Sequence, residues 1–140
     1  MATIHRIIDA ACSAAGGWLP FDRFMALALY APGAGYYASA GRKFGAMPAS
    51  GSDFVTAPEL TPLFARMMAV QVAEAMQRTG TDSVWEFGAG SGALAAQLLP
   101  ALDALGQPVT CYRIVELSGL LRQRQQRALA AHGSRVEWLD

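Results

Sequence analysis

Glu86 and Glu116 each close a short, largely apolar run, and the first run leads into Gly88, Gly90 and Gly92. The stretch reads Val84-Trp85-Glu86-Phe87-Gly88-Ala89-Gly90-Ser91-Gly92-Ala93-Leu94, the order expected of a strand, a glycine turn and a helix. Glycine at such a turn tolerates left-handed backbone and lets a ligand come close to the free N–H groups that open the helix. The same glycines could also make a tight turn that binds nothing. Gly88, Gly90 and Ala93 further satisfy the pattern G-x-G-x-x-G/A, so the glycines alone leave a nicotinamide or flavin enzyme open.

The two acids narrow the choice. A dinucleotide would set a doubly charged pyrophosphate against the loop, and a carboxylate at Glu86 would repel it. S-adenosylmethionine has no phosphate and carries an ammonium and a sulfonium, so an acid at Glu86 suits it, directly or through water. Glu116 lies 24 residues beyond Gly92, at the end of the next predicted strand, where a carboxylate can accept hydrogen bonds from both ribose hydroxyls. That role serves both cofactor classes and does not separate them. Without a ligand, Glu86 would be a charge partner for the helix N-terminus and Glu116 a solvated strand end.

The elements that must hold these residues can be read from apolar period and breakers. From residue 83 the pattern alternates: a strand over Ser83 to Phe87, a helix over Ala93 to Leu105 with Pro100 inside it, and a strand over Pro108 to Val115. A helix over Gly119 to Ala131, capped by Ser118, and a strand over Arg135 to Leu139 follow. Such alternation implies a parallel sheet with right-handed crossovers, here three strands in the order 3-2-1. Upstream, helices are expected over Thr3 to Ala15, over Phe21 to Tyr30 with Phe24, Met25, Leu27 and Ala28 inward, and from Thr61-Pro62 to Thr79. On the last of these Leu63, Phe64, Met67, Met68, Val72 and Met76 are expected to line one buried face. Between Gly33 and Ala57 no helical period survives. Short strands are expected near Tyr36-Tyr37 and Phe54-Val55-Thr56, joined by a Gly/Ser/Ala loop longer than a hairpin needs. The domain reading is a helical and loop region over 1–60 that covers the cofactor site, and the first half of a Rossmann-like domain over 61–140.

Composition fits a folded α/β chain. Of the 140 residues 53% are hydrophobic, which excludes disorder as the main state. Eleven basic residues balance eleven acidic ones, without the basic excess of a non-specific nucleic-acid binder. The apolar run Met25 to Ala31 is far shorter than the roughly 18 residues of a membrane span. Cys12 and Cys111 have no metal or disulfide spacing and read as free thiols of a reducing cytosol; His5 and His132 stand alone, so no metal is expected. Arg122, Arg124 and Arg127 with Gln123, Gln125 and Gln126 read as a solvated helix face. Charged residues are only 16%, against about 25% in an average domain, which fits either an Ala-rich composition that dilutes the charge or a surface partly covered by further chain.

With these residues placed, the chain resembles the N-terminal part of the MidA-like family of S-adenosylmethionine-dependent methyltransferases, which are linked in mitochondria to respiratory complex I assembly. Four stretches carry the likeness, in order: Phe24-Met25 through Ala28-Leu29-Tyr30, Pro32 and Gly35-Tyr36-Tyr37; Asp53-Phe54-Val55-Thr56-Ala57-Pro58-Glu59; the loop Glu86 to Gly92; and Tyr112-Arg113-Ile114-Val115-Glu116-Leu117-Ser118. Ser52 stands where the family has glycine. The resemblance implies a partial class I methyltransferase fold and transfer of a methyl group to a protein arginine. It implies a donor site made of Glu86, Gly88, Ala89, Gly90, Gly92, Glu116 and Leu117, with Thr56, Pro58 and Glu59 toward the methionine end. No general base is assigned. Family members are more than twice this long, so the chain is expected to be a fragment holding the cofactor half and inactive by itself. Its bare sheet edge is expected to favour self-association. The implied location is the bacterial cytoplasm, and mitochondria for eukaryotic relatives. A NAD- or FAD-binding oxidoreductase domain and a non-catalytic assembly factor are the alternatives.

Overall fold

Apolar residues at helical spacing and a Pro-Phe start set the first two helices. In the computed structural model, which describes residues 3–39 and 55–139, they are α1 (Ile4–Ala14) and α2 (Phe21–Tyr30). Thr3 precedes α1 in extended conformation, but its hydroxyl makes no capping bond. The expected strand at Tyr36-Tyr37 does not form. The chain instead folds back on the end of α2: Tyr36 N–H donates to Ala28 C=O and Tyr37 N–H to Leu29 C=O, each at 2.8 Å. Those carbonyls are the orphans every helix end must satisfy, and the turn uses them before a strand can. Gly35 permits it, because a Cβ there would stand 2.5 Å from Ala31 N. The three tyrosines close over the turn, with Tyr36 and Tyr37 edge to face at 4.9 Å and Tyr30 to Tyr37 at 5.7 Å. Phe24 is exposed rather than inward. These elements form one compact unit, residues Met1–Gly41 together with Ser118–Leu121. Ser118 Oγ donates to Tyr37 C=O at 2.6 Å and accepts from Leu121 N–H at the start of α6 (Gly119–Ala128).

The second unit, Arg42–Leu117 and Arg122–Asp140, holds the sheet. Val55 and Thr56 are not in a strand, while Phe54 and the Gly/Ser/Ala loop lie outside the described residues. A single turn, α3 (Ala57–Leu60), leads into α4 (Pro62–Thr79), whose Thr61 hydroxyl accepts from Leu63 N–H and whose end is left-handed Gly80. β1 (Ser83–Phe87), α5 (Ala93–Ala104), β2 (Cys111–Val115) and β3 (Val136–Leu139) complete the alternation, with a 3-10 turn after α6. The strands are parallel, β2 lying between β1 and β3, which is the expected order. Val84 faces Tyr112 and Glu86 faces Ile114 in the β1–β2 register.

The core lies between one sheet face and the helices, built from Leu98, Leu99 and Leu102 of α5, Tyr112 and Ile114 of β2, Leu129 and Val136. On α4 the buried stripe is Ala65, Ala69, Ala73 and Met76; of the expected large residues Met76 is buried and Val72 packs against the core, whereas Leu63 is 62% and Met67 69% exposed. The alanines let α4 approach α5 closely, and close packing there excludes the bulky side of the helix. On the opposite face of the sheet Trp85 and Phe87 are exposed, with Arg113 over the Trp85 ring and 3.0 Å from Glu137. No described helix is long and apolar enough to cross a membrane.

Candidate functional site

The end of β1 carries Glu86 into the glycine turn. Gly88 N–H still bonds to Val115 C=O at 2.9 Å, as if β1 ran one step further, and then the backbone turns left-handed at Gly88, Gly90 and Gly92, with φ of 69°, 57° and 84°. Gly92 N–H closes on Ala89 C=O at 2.8 Å, and Ala93 N–H on the Ser91 hydroxyl at 3.3 Å, which starts α5. L-residues are disfavoured in that left-handed region, so the three glycines are what allow the turn.

Six of the ten expected site residues come together there. Thr56, Pro58, Glu86, Gly88, Ala89 and Gly90 line one cavity of about 350 Å³, within the size range of small-molecule sites, roughly 300–1,000 Å³. Gly92 backs onto α6, where a Cβ would stand 3.4 Å from Gln125 Cα. Leu117 is 64% exposed, and Glu116 is 5% exposed and bonded by Gln125. Glu59 lines a neighbouring cavity, where its Oε1 lies 3.9 Å from Arg124 Nη2. Pro58 lines both cavities, Glu59 the second of them.

Glu86 is the chemically distinctive wall. Tyr112 Oη donates to its Oε2 at 2.7 Å. Burial pushes the Glu86 carboxyl above its ordinary range, and the Tyr112 hydroxyl offsets part of that rise. Burial, then the Glu86 carboxylate beside it, push the Tyr112 hydroxyl far up, so it stays protonated and serves as a donor. A half-buried carboxylate at the mouth of a glycine turn favours a cation in the cavity and disfavours a phosphate. That fits the ammonium and sulfonium of S-adenosylmethionine.

Four residues of this region were not expected from the sequence. Tyr112 reaches Glu86 only because the register sets it on the same sheet face, diagonal to Glu86. Gln97 of α5 donates to Pro58 C=O at 2.8 Å and pins α3 beside the cavity. Gln125, expected on a solvated face, is fully buried, and Arg122 turns inward to the carbonyls of Glu116 and Leu139 at 3.1 and 2.7 Å. Among the described residues no cluster of metal ligands occurs.

Comparison with known proteins adds the family. Residues 67–140 match the family model Methyltransf_28, described as "Putative S-adenosyl-L-methionine-dependent methyltransferase". The chain is 32% identical over 122 residues to the protein arginine methyltransferase NDUFAF7 homolog, mitochondrial, of Caenorhabditis elegans, covering 85% of this chain and 28% of that protein. A COG1565 superfamily member from Burkholderia thailandensis, solved with S-adenosyl-homocysteine bound, is 52% identical with a TM-score of 0.87, over 98% of this chain and 36% of the other. A native crystal structure of a COG1565 superfamily protein from the same organism is 49% identical with a TM-score of 0.77, over 98% of this chain and 34% of the other. The chain thus spans about a third of the length of these relatives. It belongs to the MidA-like family of S-adenosyl-L-methionine-dependent methyltransferases.

Proposed function

We propose that this chain forms the donor-binding part of a methyltransferase that modifies a protein arginine, with the cavity at the glycine turn as the donor site. Bound S-adenosylmethionine supplies an electrophilic methyl group on a positively charged sulfur. The chain's own residues then bind and orient. Glu86 supplies negative charge to the cavity, held by Tyr112. The turn from Gly88 to Gly90 offers close backbone approach, and Thr56 and Pro58 line the same cavity. Glu116, with Leu117 after it, serves the ribose end. In-line transfer rests largely on such positioning.

The observation that carries the reading is the carboxylate of Glu86 in the glycine-turn cavity, which suits a cationic donor and repels a pyrophosphate. It weighs against the oxidoreductase alternative. The arginine substrate and a role in respiratory complex assembly rest on the printed name of the C. elegans relative and on the resemblance in sequence. The residues that hold the acceptor nitrogen are assigned to the further length those relatives carry. A reducing compartment suits the free thiols Cys12 and Cys111.

Calorimetric titration of the chain with S-adenosyl-homocysteine, beside NADH and beside Glu86→Gln, tests the donor site. Saturable binding of the first ligand, weakened in the variant, supports it; binding of NADH alone overturns it. Incubation of a relative of full length, such as the Burkholderia thailandensis protein, with labelled donor and arginine- or lysine-containing peptides tests the acceptor. Label on lysine only would reject the arginine assignment and leave the donor site standing.

A further inference from the structure

Gln125 of α6 is fully buried, and all of its side-chain hydrogen-bonding groups are engaged by the walls of the donor site or their supports. Its Nε2 donates to Gly90 C=O at 3.1 Å and to Glu116 Oε2 at 2.9 Å, and its Oε1 accepts from Trp138 Nε1 at 3.1 Å. The indole N–H can only donate. It therefore fixes which end of the amide faces β3 and turns the NH₂ toward the glycine turn and Glu116. One side chain thus joins the turn after β1, the acid after β2 and the ring on β3.

We propose that Gln125 is a positioning residue for the ribose of the donor: it holds the Glu116 carboxylate in a fixed place relative to the Gly90 carbonyl. The inference rests on the reading of this region as the donor site. A carboxylate accepts at roughly four lone-pair positions, so Glu116 can take ribose hydroxyls together with the Gln125 N–H. A buried polar group left without its partner is costly, so the amide also keeps Glu116 from turning elsewhere to find a donor. Gly92 lies beside the same arrangement, where a Cβ would stand in contact with Gln125 at 3.4 Å.

The test compares S-adenosyl-homocysteine with its 3′-deoxyribose analogue on the wild-type chain and on Gln125→Met, which keeps length and volume and removes the amide. Loss of the hydroxyl is expected to weaken wild-type binding by about tenfold and Gln125→Met binding by about twofold, since a bond to a charged acceptor is lost only where that acceptor is aimed. A role confined to packing would weaken both ligands equally and keep the tenfold ratio in the variant, which would overturn the inference. A wild-type chain that binds both ligands equally would overturn it too. A wild-type chain that binds neither removes the donor-site reading itself, and the inference with it. If Gln125→Met does not fold, Trp138→Phe removes the N–H that orients the amide, together with part of the ring; an unchanged ratio there is equally adverse.

Discussion

Tyr112 Oη and Glu86 Oε2 lie 2.7 Å apart, across two strands and 26 residues of chain. The pair makes a core tyrosine part of the cavity wall. Tyr112 is 1% exposed and packs with Ile114 and Leu99, while its hydroxyl reaches the carboxylate that the glycine turn presents. Tyr112→Phe should keep the packing and remove the donor. Binding of S-adenosyl-homocysteine should weaken by about tenfold, the lower end for a hydrogen bond to a charged group, and calorimetry would measure it. Undiminished affinity would mean that Glu86 needs no such support.

Glu86 should give the site a pH dependence of defined sign. Its carboxyl titrates above the ordinary value of 4.5 because burial disfavours the charged form. The folded chain therefore holds this proton more tightly than the unfolded chain. Its contribution to stability should fall as pH rises from about 4.5 through the raised value. Donor binding should run the other way, weakening as pH drops through that value and the carboxylate is neutralised. Titrations in steps from pH 4 to 8 would show both trends, and Glu86→Gln should flatten them.

Gly88 and Gly92 should respond differently to alanine. Both have positive φ, and left-handed backbone costs an L-residue about 1–2 kcal/mol. A Cβ at Gly88 meets nothing within 4 Å, whereas one at Gly92 stands 3.4 Å from Gln125. Gly88→Ala should lose that backbone cost in denaturant unfolding, and it should lose donor affinity because it faces the cavity. Gly92→Ala should be at least as destabilised, with its affinity loss tied to the ribose hydroxyls.

The small stripe of α4 should not accept volume. Ala69 is 0% exposed against α5, while Met67 is 69% exposed. Ala69→Leu should destabilise by about 1–3 kcal/mol through overpacking. Met67→Ala should change stability by less than about 0.5 kcal/mol. Urea unfolding of the two variants would reverse the ranking if the large residues of α4 formed the core.

β1 has β2 as its one hydrogen-bonded neighbour among the described strands, and it exposes Phe87 by 73% and Trp85 by 51%. Open strand edges with apolar side chains invite pairing between chains. Concentration-dependent association is expected in sedimentation velocity, and Phe87→Lys should reduce it. A concentration-independent monomer would remove the edge as an association site.

Features that local chemistry encodes were legible from residue order alone. Strand, glycine turn and helix follow from apolar runs and from residues that tolerate positive φ. The parallel order of three strands follows from the alternation. Glu86 could be read as an acid beside the turn because it is two residues away. The tertiary structure decided what depends on distant partners. Tyr36 and Tyr37 could not be seen to satisfy the carbonyls of α2 rather than pair as a strand. The buried side of α4 went to alanines, because the approach of α5 sets how much volume the interface holds, and hydrophobicity alone does not report that. Gln125 sits among arginines and glutamines and reads as solvated, yet it is buried because Gly90, Glu116 and Trp138 meet it from three strand ends. Polar residues become interior when their hydrogen bonds are satisfied, and those partners lie 9 to 35 residues away.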